Sequence, residues 1–224
     1  MPGCRVIQMA ALCAVAFGLT GYAAFGGWAV ITVDDFPETV AAAQPVNLSF
    51  VVRQHGLTLL PNLSPIVTAT RGKLEVAGKV QGKAAGHYAA QLVLPEAGKW
   101  SITIHSGFGA SKVKLPIVHA VTAGEKRPAT APSERGRRLF VAKGCVTCHV
   151  HGAVSAIDNN SLAVGPDLTP KRYEAAYLRR FLTDPSIAPR TPGRQEMPAL
   201  GLSDAELTAL VAFINGNHSV AAQR

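Results

Sequence analysis

Cysteine is scarce in this sequence, which excludes a fold held together by disulfide bonds. The chain of 224 residues has four cysteines, and two of them, Cys4 and Cys13, lie in an apolar segment at the N-terminus. If that segment is removed, Cys145 and Cys148 remain. A single C-x-x-C pair cannot supply a disulfide framework and points instead to a metal, a redox dithiol or a haem.

Methionine and clustered basic residues are scarce as well. Of the three methionines, Met1 and Met9 lie in the N-terminal segment, so Met197 is the one that follows it. The formal net charge is +8, but no stretch combines a dense basic run with interleaved aromatic residues, and nucleic-acid binding therefore has little support. A mildly basic surface suits docking to an acidic redox partner or to a membrane surface, or simply solubility.

Residues 1–26 have the pattern of an export signal. Arg5 is followed by an apolar run from Val6 to Leu19, and Ala24-Phe25-Gly26 places small side chains where a signal peptidase cleaves. We therefore expect cleavage near Gly26 and a mature protein in the periplasm or on the outer face of the bacterial inner membrane. The alternative is an uncleaved membrane anchor, because the chain from Val6 to Val33 carries almost no charge and is long enough to span a bilayer.

Residues 27–120 have the sequence pattern of a β domain. Short segments of alternating apolar residues are separated by glycine and proline, without a helical period. The predicted strands cover residues 28–33, 46–52, 88–94 and 100–104, with shorter candidates at 66–70, 74–80 and 112–118. About seven short strands in a segment of this length is the pattern of an antiparallel, immunoglobulin-like β-sandwich.

A linker and a helical domain follow. Residues 121–132 are small, charged and proline-containing, as linkers are, and residues 133–224 have helical patterns. The first predicted helix is capped by Ser133 and ends at Gly144, and the last opens with a capping box formed by Ser203 and Glu206. Between them, Tyr173–Leu182 predicts an amphipathic helix whose inner face carries Tyr173, Ala176, Tyr177 and Phe181. The predicted inner stripe of the last helix is Leu207, Leu210, Val211 and Ile214. The sequence thus predicts two domains, one all-β and one all-α.

The stretch from Cys145 to His149 reads C-x-x-C-H, the pattern of a covalent attachment site for c-type haem. Two thiols at this spacing can form thioethers to the vinyl groups of one porphyrin, and the adjacent histidine can serve as the proximal iron ligand. The alternative is structural zinc held by the two thiols, His149 and His151, which is sterically awkward because the four lie within seven residues. Export agrees with haem, because haem is attached outside the inner membrane.

Residues 133–217 resemble a single-haem class I cytochrome c. The resemblance rests on the C-x-x-C-H motif, Gly165-Pro166-Asp167-Leu168, Met197-Pro198 and the capped final helix. It implies a class I cytochrome c fold with one covalent haem c, borne by Cys145 and Cys148. It also implies that His149 is the proximal ligand, that its free N–H is donated to the carbonyl of Pro166, and that a thioether from the loop before the last helix is the distal ligand. Met197 is the candidate for that thioether, and His151 and His218 are expected on the surface.

Residues 28–120 resemble the small periplasmic YtkA-like domain. The matching residues are the segments 51–56, 86–88 and 95–100, read as VVRQHG, GHY and PEAGKW. The resemblance implies a β-sandwich with no enzymatic chemistry.

A haem iron with both axial positions filled has no open site for a substrate, so we expect one-electron transfer without catalysis. The β-sandwich would then be a docking module for a redox partner protein. Alternatively, the chain is a non-catalytic subunit of a membrane respiratory complex. A second alternative is a two-centre relay in which copper binds histidines of the sandwich, namely His55, His87, His105 or His119. A haem or copper sensor is a third, less favoured class.

Overall fold

A computed structural model of the chain describes residues 27–154, 157–159, 161–189, 192 and 196–216. The segment predicted to be a signal peptide or an anchor, residues 1–26, lies outside the described residues, and so does His218. In the part of the chain that the structure describes, no helix is long and apolar enough to cross a membrane.

Eleven β-strands are found among the described residues, all of them between Ala29 and Val121. They are β1 (Ala29–Val33), β2 (Thr39–Ala41), β3 (Pro45–Gln54), β4 (Thr58–Leu59), β5 (Ile66–Arg71), β6 (Leu74–Ala77), β7 (Lys79–Ala84), β8 (His87–Val93), β9 (Gly98–His105), β10 (Lys112–Lys114) and β11 (Val118–Val121). We call this part of the molecule the β domain.

The strands of the β domain form two sheets around one apolar core. One sheet has the order β1-β3-β8-β7 with β4 beside β3, and the other has the order β2-β11-β9-β5-β6 with β10 beside β9. Along β9, Trp100, Ile102 and Ile104 are buried and alternate with more exposed residues, as in a strand with one face on a core. The prediction of antiparallel sheets is confirmed except at one edge, because β2 and β11 pair in parallel.

Two of the predicted strands are each two strands in the structure. The segment 74–80 changes sheet at Gly78, because β6 pairs with β5 whereas β7 pairs with β8 in the other sheet. A methyl group on Gly78 would lie 3.2 Å from Leu92 and 3.3 Å from Val67, so the chain crosses close to both sheets at this point. The segment 112–118 is interrupted by Pro116, which has no N–H for a sheet ladder.

Four α-helices follow in the described residues: α1 (Pro132–Ala142), α2 (Cys145–Cys148), α3 (Ala175–Thr183) and α4 (Asp204–Ile214). The prediction that Ser133 caps α1 is wrong, since the helix begins one residue earlier at Pro132 and its N-cap residue is Ala131. Proline suits the first helical position because its φ is fixed and its missing N–H would have no intrahelical partner there. The capping box of Ser203 and Glu206 is present at the start of α4.

The buried face of α3 differs from the predicted one. Its buried residues are Leu178 and Leu182, whereas Tyr177 is 38% exposed and stacks on Phe181 with ring centroids 6.3 Å apart. Glu174 is the N-cap residue before the helix, and its carboxylate accepts hydrogen bonds from the backbone N–H groups of Ala176 and Tyr177. The helix therefore begins two residues later than predicted, and Leu178 and Leu182 form its buried stripe.

Helices α1 and α4 pack closely because α1 carries a glycine where the two helices meet. A methyl group on Gly136 would overlap the carbonyl oxygen of Ala209 and lie 2.6 Å from the Cβ of Phe213. Phe140 and Phe213 are both fully buried at this contact, with ring centroids 5.6 Å apart. Leu207, Leu210 and Ile214 are buried on α4 as predicted, Val211 only partly.

We expect Gly136→Ala to destabilise the protein although alanine favours a helix. The gain in helix propensity is about 1 kcal/mol, whereas overpacking against a helix backbone costs about 1–3 kcal/mol and occasionally more. Urea unfolding followed by circular dichroism should therefore show a net loss of stability. Gly82→Ala is the matched control, because its methyl group would meet nothing closer than 3.9 Å. Equal midpoints for the two variants would contradict the close packing of α1 on α4.

Helix α1 also fastens the helical part to the β domain. Arg138 pairs with Glu38 at 3.0 Å and donates to the carbonyl of Ile117, and its guanidinium lies 5.5 Å from the ring of Phe36. Lys143, the C-cap residue that follows α1, donates to the carbonyl of Asp34. These contacts place the two predicted domains in direct contact across the first helix, although the exact domain limits stay predictions.

Candidate functional site

The two cysteines lie on one short helical turn. Helix α2 holds Cys145 at its start and Cys148 at its end, and Gly144 begins it in a left-handed conformation with φ of 79°. Both cysteines are free thiols. Burial raises the pKa of Cys145 to about 12, assisted by the nearby Cys148, and burial raises the pKa of Cys148 to about 11. These shifts are opposite in direction to those of redox dithiols, in which the pKa of a reactive thiol is lowered.

His149 follows the second cysteine directly, and one of its ring nitrogens is occupied. Its Nδ1 lies 3.0 Å from the carbonyl oxygen of Pro166. A carbonyl can only accept, so Nδ1 is the donor and the lone pair resides on Nε2. Burial lowers the pKa of His149, and the hydrogen bond to Pro166 opposes that shift. A neutral imidazole with a free Nε2 is the form that binds a metal.

The loop that carries Pro166 runs alongside the C-x-x-C-H segment. Three backbone N–H groups of this loop donate to carbonyls of that segment: Leu162 to Thr147 at 2.9 Å, Gly165 to Cys148 at 2.7 Å and Leu168 to Val150 at 2.9 Å. Gly165 is required for this approach, since a methyl group there would lie 2.6 Å from the His149 ring. The imidazole is thus held in one orientation by backbone on one side and a carbonyl on the other.

Met197 lies in the segment before α4. Its side chain is half-buried and packs against the apolar core. The next residue, Pro198, lies close to the β domain, because a methyl group built on Gly56 would lie 3.8 Å from the Cδ of Pro198. Gly56 occupies the turn between β3 and β4, so the segment that carries the candidate thioether runs near this turn.

These residues fit a covalently attached haem. Two free thiols share one helical turn, the adjacent imidazole presents Nε2, and its Nδ1–H is bound to a carbonyl as is usual for metal-ligating histidines. Structural zinc fits less well. Among the described residues, no group of three or more histidine, cysteine, aspartate or glutamate side chains is arranged to hold a metal ion.

The prediction that His151 is a surface residue is wrong. Its ring is 1% exposed and lies between Phe213, at 4.3 Å between centroids, and Phe140, at 5.9 Å. The residue therefore packs beside the contact between α1 and α4. Sequence reasoning missed it because a histidine in a short loop after the motif carries no sign of which helices will cover it.

The structure does not gather the four histidines of the β domain. His87 begins β8 in one sheet, whereas His105 ends β9 and His119 lies on β11 in the other. His55 occupies the turn after β3, with its ring 5.3 Å from that of Trp28. The described residues offer no three-residue metal group here, so the copper alternative gains no support from the fold.

A family comparison agrees with this site. Residues 133–217 match the family model described as cytochrome c. The motif, the histidine and Met197 all fall within this match, which defines the C-terminal part as a cytochrome c domain. A domain of this class implies a haem c cofactor and, in general, redox partner proteins.

The other comparisons do not add a function. No curated protein matches the chain. Among solved structures, the chain is similar to domains 4 and 5 of the S-layer protein SbsC, with 22% identity over 41% of this chain and 44% of that one, and a TM-score of 0.34. It is also similar to the Lin-41 filamin domain, with 12% identity over 39% of this chain and 91% of that one, and a TM-score of 0.31. TM-scores this low assign neither a fold nor an activity.

Proposed function

We propose that this chain is an exported c-type cytochrome with one haem, which transfers single electrons and performs no catalysis of its own. The observation that carries the proposal is the pairing of His149 Nδ1 with the carbonyl of Pro166 at 3.0 Å beside two free thiols, within a cytochrome c domain. Cys145 and Cys148 would bear the thioethers, and His149 and Met197 would be the axial ligands. The haem supplies the one-electron couple when bound.

The residues of the chain have distinct tasks in this proposal. The carbonyl of Pro166 keeps the proton on Nδ1 and fixes the plane of the imidazole, which makes His149 a more basic ligand. The thioether of Met197 would favour the reduced state of a bound haem iron, because sulfur is a soft, neutral ligand. If His149 and Met197 both bound the iron, no position would remain for a substrate.

We assign the β domain the role of a docking module, of the YtkA-like type that its sequence resembles. This role is supported by the contacts that hold the β domain against the cytochrome c domain. They involve Arg138 of α1, Lys143 directly after α1, and Lys114 of β10, whose backbone N–H donates to Asn159 Oδ1 at 2.9 Å. A partner that binds the β domain would thereby hold the haem domain in one orientation. In a membrane respiratory complex, the same module would bind a neighbouring subunit.

The first test is the haem and metal content of the full chain, made in a host that attaches haem to exported proteins and is supplied with copper. We expect one iron per chain, no copper, and a haem that resists extraction by acidified organic solvent because two thioethers hold it. Cys145→Ser and Cys148→Ser should each still hold bound haem through the one remaining thioether, and the double variant should lose the resistance entirely. Thr147→Ser, which lies between the thiols, is the matched control.

Two results would decide against parts of the proposal. A haem that is extracted from the unaltered chain as easily as from the double cysteine variant would exclude covalent attachment. Close to one copper per chain, lost on replacing His55, His87, His105 or His119, would instead establish the two-centre relay. Retention of the N-terminal segment with co-purification of a membrane complex would favour the subunit over the free carrier.

A further inference from the structure

A cavity of about 340 Å³ lies where the β domain, the connecting segment and α1 meet. None of the candidate haem-binding residues, Cys145, Cys148, His149 and Met197, lines it. The β domain contributes Glu38 and His119, the connecting segment Arg127 and Thr130, and α1 contributes Arg135 and Arg138. A volume of this order is within the usual range for small-ligand pockets, about 300–1,000 Å³.

The charges around this cavity do not balance. Glu38 is the one carboxylate in the lining, and it is already occupied, since one oxygen binds Arg138 at 3.0 Å and the other accepts from Thr130 at 2.7 Å. Within the described residues, the guanidinium groups of Arg127 and Arg135 make no ion pair. Two uncompensated guanidinium groups, from different segments of the chain, thus line one concave site.

The imidazole of His119 lies in the same positively charged environment. Burial lowers its pKa, and Arg127, Arg138 and Lys99 lower it further, whereas Glu38 raises it. Arg135 lines the same cavity. An anion placed among these groups would oppose their effect on the imidazole.

We propose that this cavity binds a small oxyanion with two negative charges, held by Arg127 and Arg135. Guanidinium groups bind carboxylate and phosphate oxygens through paired, charge-assisted hydrogen bonds, which is why two unpaired arginines favour this ligand class. An anion of this kind would join the connecting segment to α1. It would therefore stabilise the contact between the β domain and the cytochrome c domain, since a ligand that binds only the folded state adds to its stability.

The test is calorimetric titration of the full chain with inorganic phosphate, sulfate and malonate, each against chloride at the same ionic strength. We expect saturable binding of one dianion per chain, and the order of affinities will distinguish a phosphate or sulfate ligand from a dicarboxylate. Arg127→Ala and Arg135→Ala should each weaken binding about tenfold or more, because a hydrogen bond to a charged group contributes about 1.5–3 kcal/mol. Lys126→Ala is the matched control: it removes the same charge from an exposed residue outside the cavity lining, and screening should keep its effect below about threefold.

A second readout does not depend on the arginine variants. The pKa of His119, followed by NMR, should rise when sulfate is added, and should not rise with chloride. Equal weakening by Lys126→Ala and Arg127→Ala would overturn the site in favour of general attraction to a basic surface. Binding of chloride as tight as that of phosphate, or an unmoved His119, would overturn it as well. The iron content of the protein has no bearing on any of these results, so the site and the proposed electron transfer fail separately.

Discussion

Replacing Met197 with alanine will allow the reduced, haem-loaded protein to bind carbon monoxide readily, whereas the unaltered protein will bind it slowly or not at all. The reason is that Met197 is the one methionine after residue 26, and its half-buried side chain lies in a segment with Pro198 close to the β domain. No other methionine follows residue 26, so no other thioether from that part of the chain would replace Met197 as a ligand. The measurement is the change in the visible spectrum of the ferrous protein on addition of the gas.

Two further variants separate ligation from packing. Met197→His should close the distal position again and lower the reduction potential, because a second nitrogen ligand favours ferric iron more than sulfur does. Leu202→Ala is the matched control, since Leu202 is also half-buried between Met197 and α4 but carries no ligand atom. Rapid binding of carbon monoxide by the unaltered protein would exclude a thioether ligand. Equal binding by Leu202→Ala and Met197→Ala would show that the loop, and not the sulfur, closes the site.

The candidate site could be predicted because most of it is local in sequence. Cys145, Cys148 and His149 lie within five residues, so their proximity follows from the chain itself. Pro166 was assigned through the resemblance to class I cytochromes c, and the structure shows why a glycine precedes it: the backbone of Gly165 approaches the His149 ring too closely for a side chain. The covering of His151 by two helices depends on distant segments and was therefore missed.

In the β domain too, features that depend on residues distant in sequence could not be predicted. Its long strands were predicted because buried and exposed residues alternate along them, as in β9. The short edge strand β2 was missed because its three residues are exposed or half-buried and its partner β11 lies almost 80 residues away. The parallel pairing of these two strands depends on that long-range contact, which no pattern within either strand indicates.

Buried charge was the least predictable feature. Arg138 and Lys143 are long, charged residues of a kind usually found on the surface, yet they are 9% and 3% exposed. Their partners, Glu38 and Asp34, lie about 100 residues earlier in the chain. The polar face of α1 is thus an interface, and a connecting segment with the composition of a flexible linker joins two domains that are held together by other contacts.

Lys143 is buried and makes contacts with both α4 and the β domain. Its ammonium pairs with Glu206 of α4 at 2.7 Å and donates to the carbonyl of Asp34, and its own carbonyl accepts from Thr32 at 3.4 Å. Glu206 is 7% exposed and also belongs to the capping box of α4. The side chain therefore joins α1, α4 and the β domain at one buried point.

We expect Lys143→Met to destabilise the full chain by about 3 kcal/mol, near the lower end of the range for breaking a buried ion pair. The lower end applies because Glu206 keeps its hydrogen bond from Ser203 N at 2.9 Å and is not left entirely without donors. Urea unfolding measures the loss. Arg137→Met is the matched control on the same helix, because the pair of Arg137 and Glu134 is 38% and 44% exposed and such pairs contribute only about 0–1 kcal/mol.

The origin of the loss can be separated by a second substitution. Glu206→Gln removes the carboxylate charge but keeps an acceptor for Ser203, so the double variant with Lys143→Met has neither buried charge and should lose less stability than the sum of the two single variants. Strict additivity would show that Lys143 acts through its contact with Asp34 and the β domain, and not through Glu206. A loss no larger than that of Arg137→Met would mean that this buried point does not hold the two domains together, and that the β domain cannot orient the haem domain toward a partner as proposed.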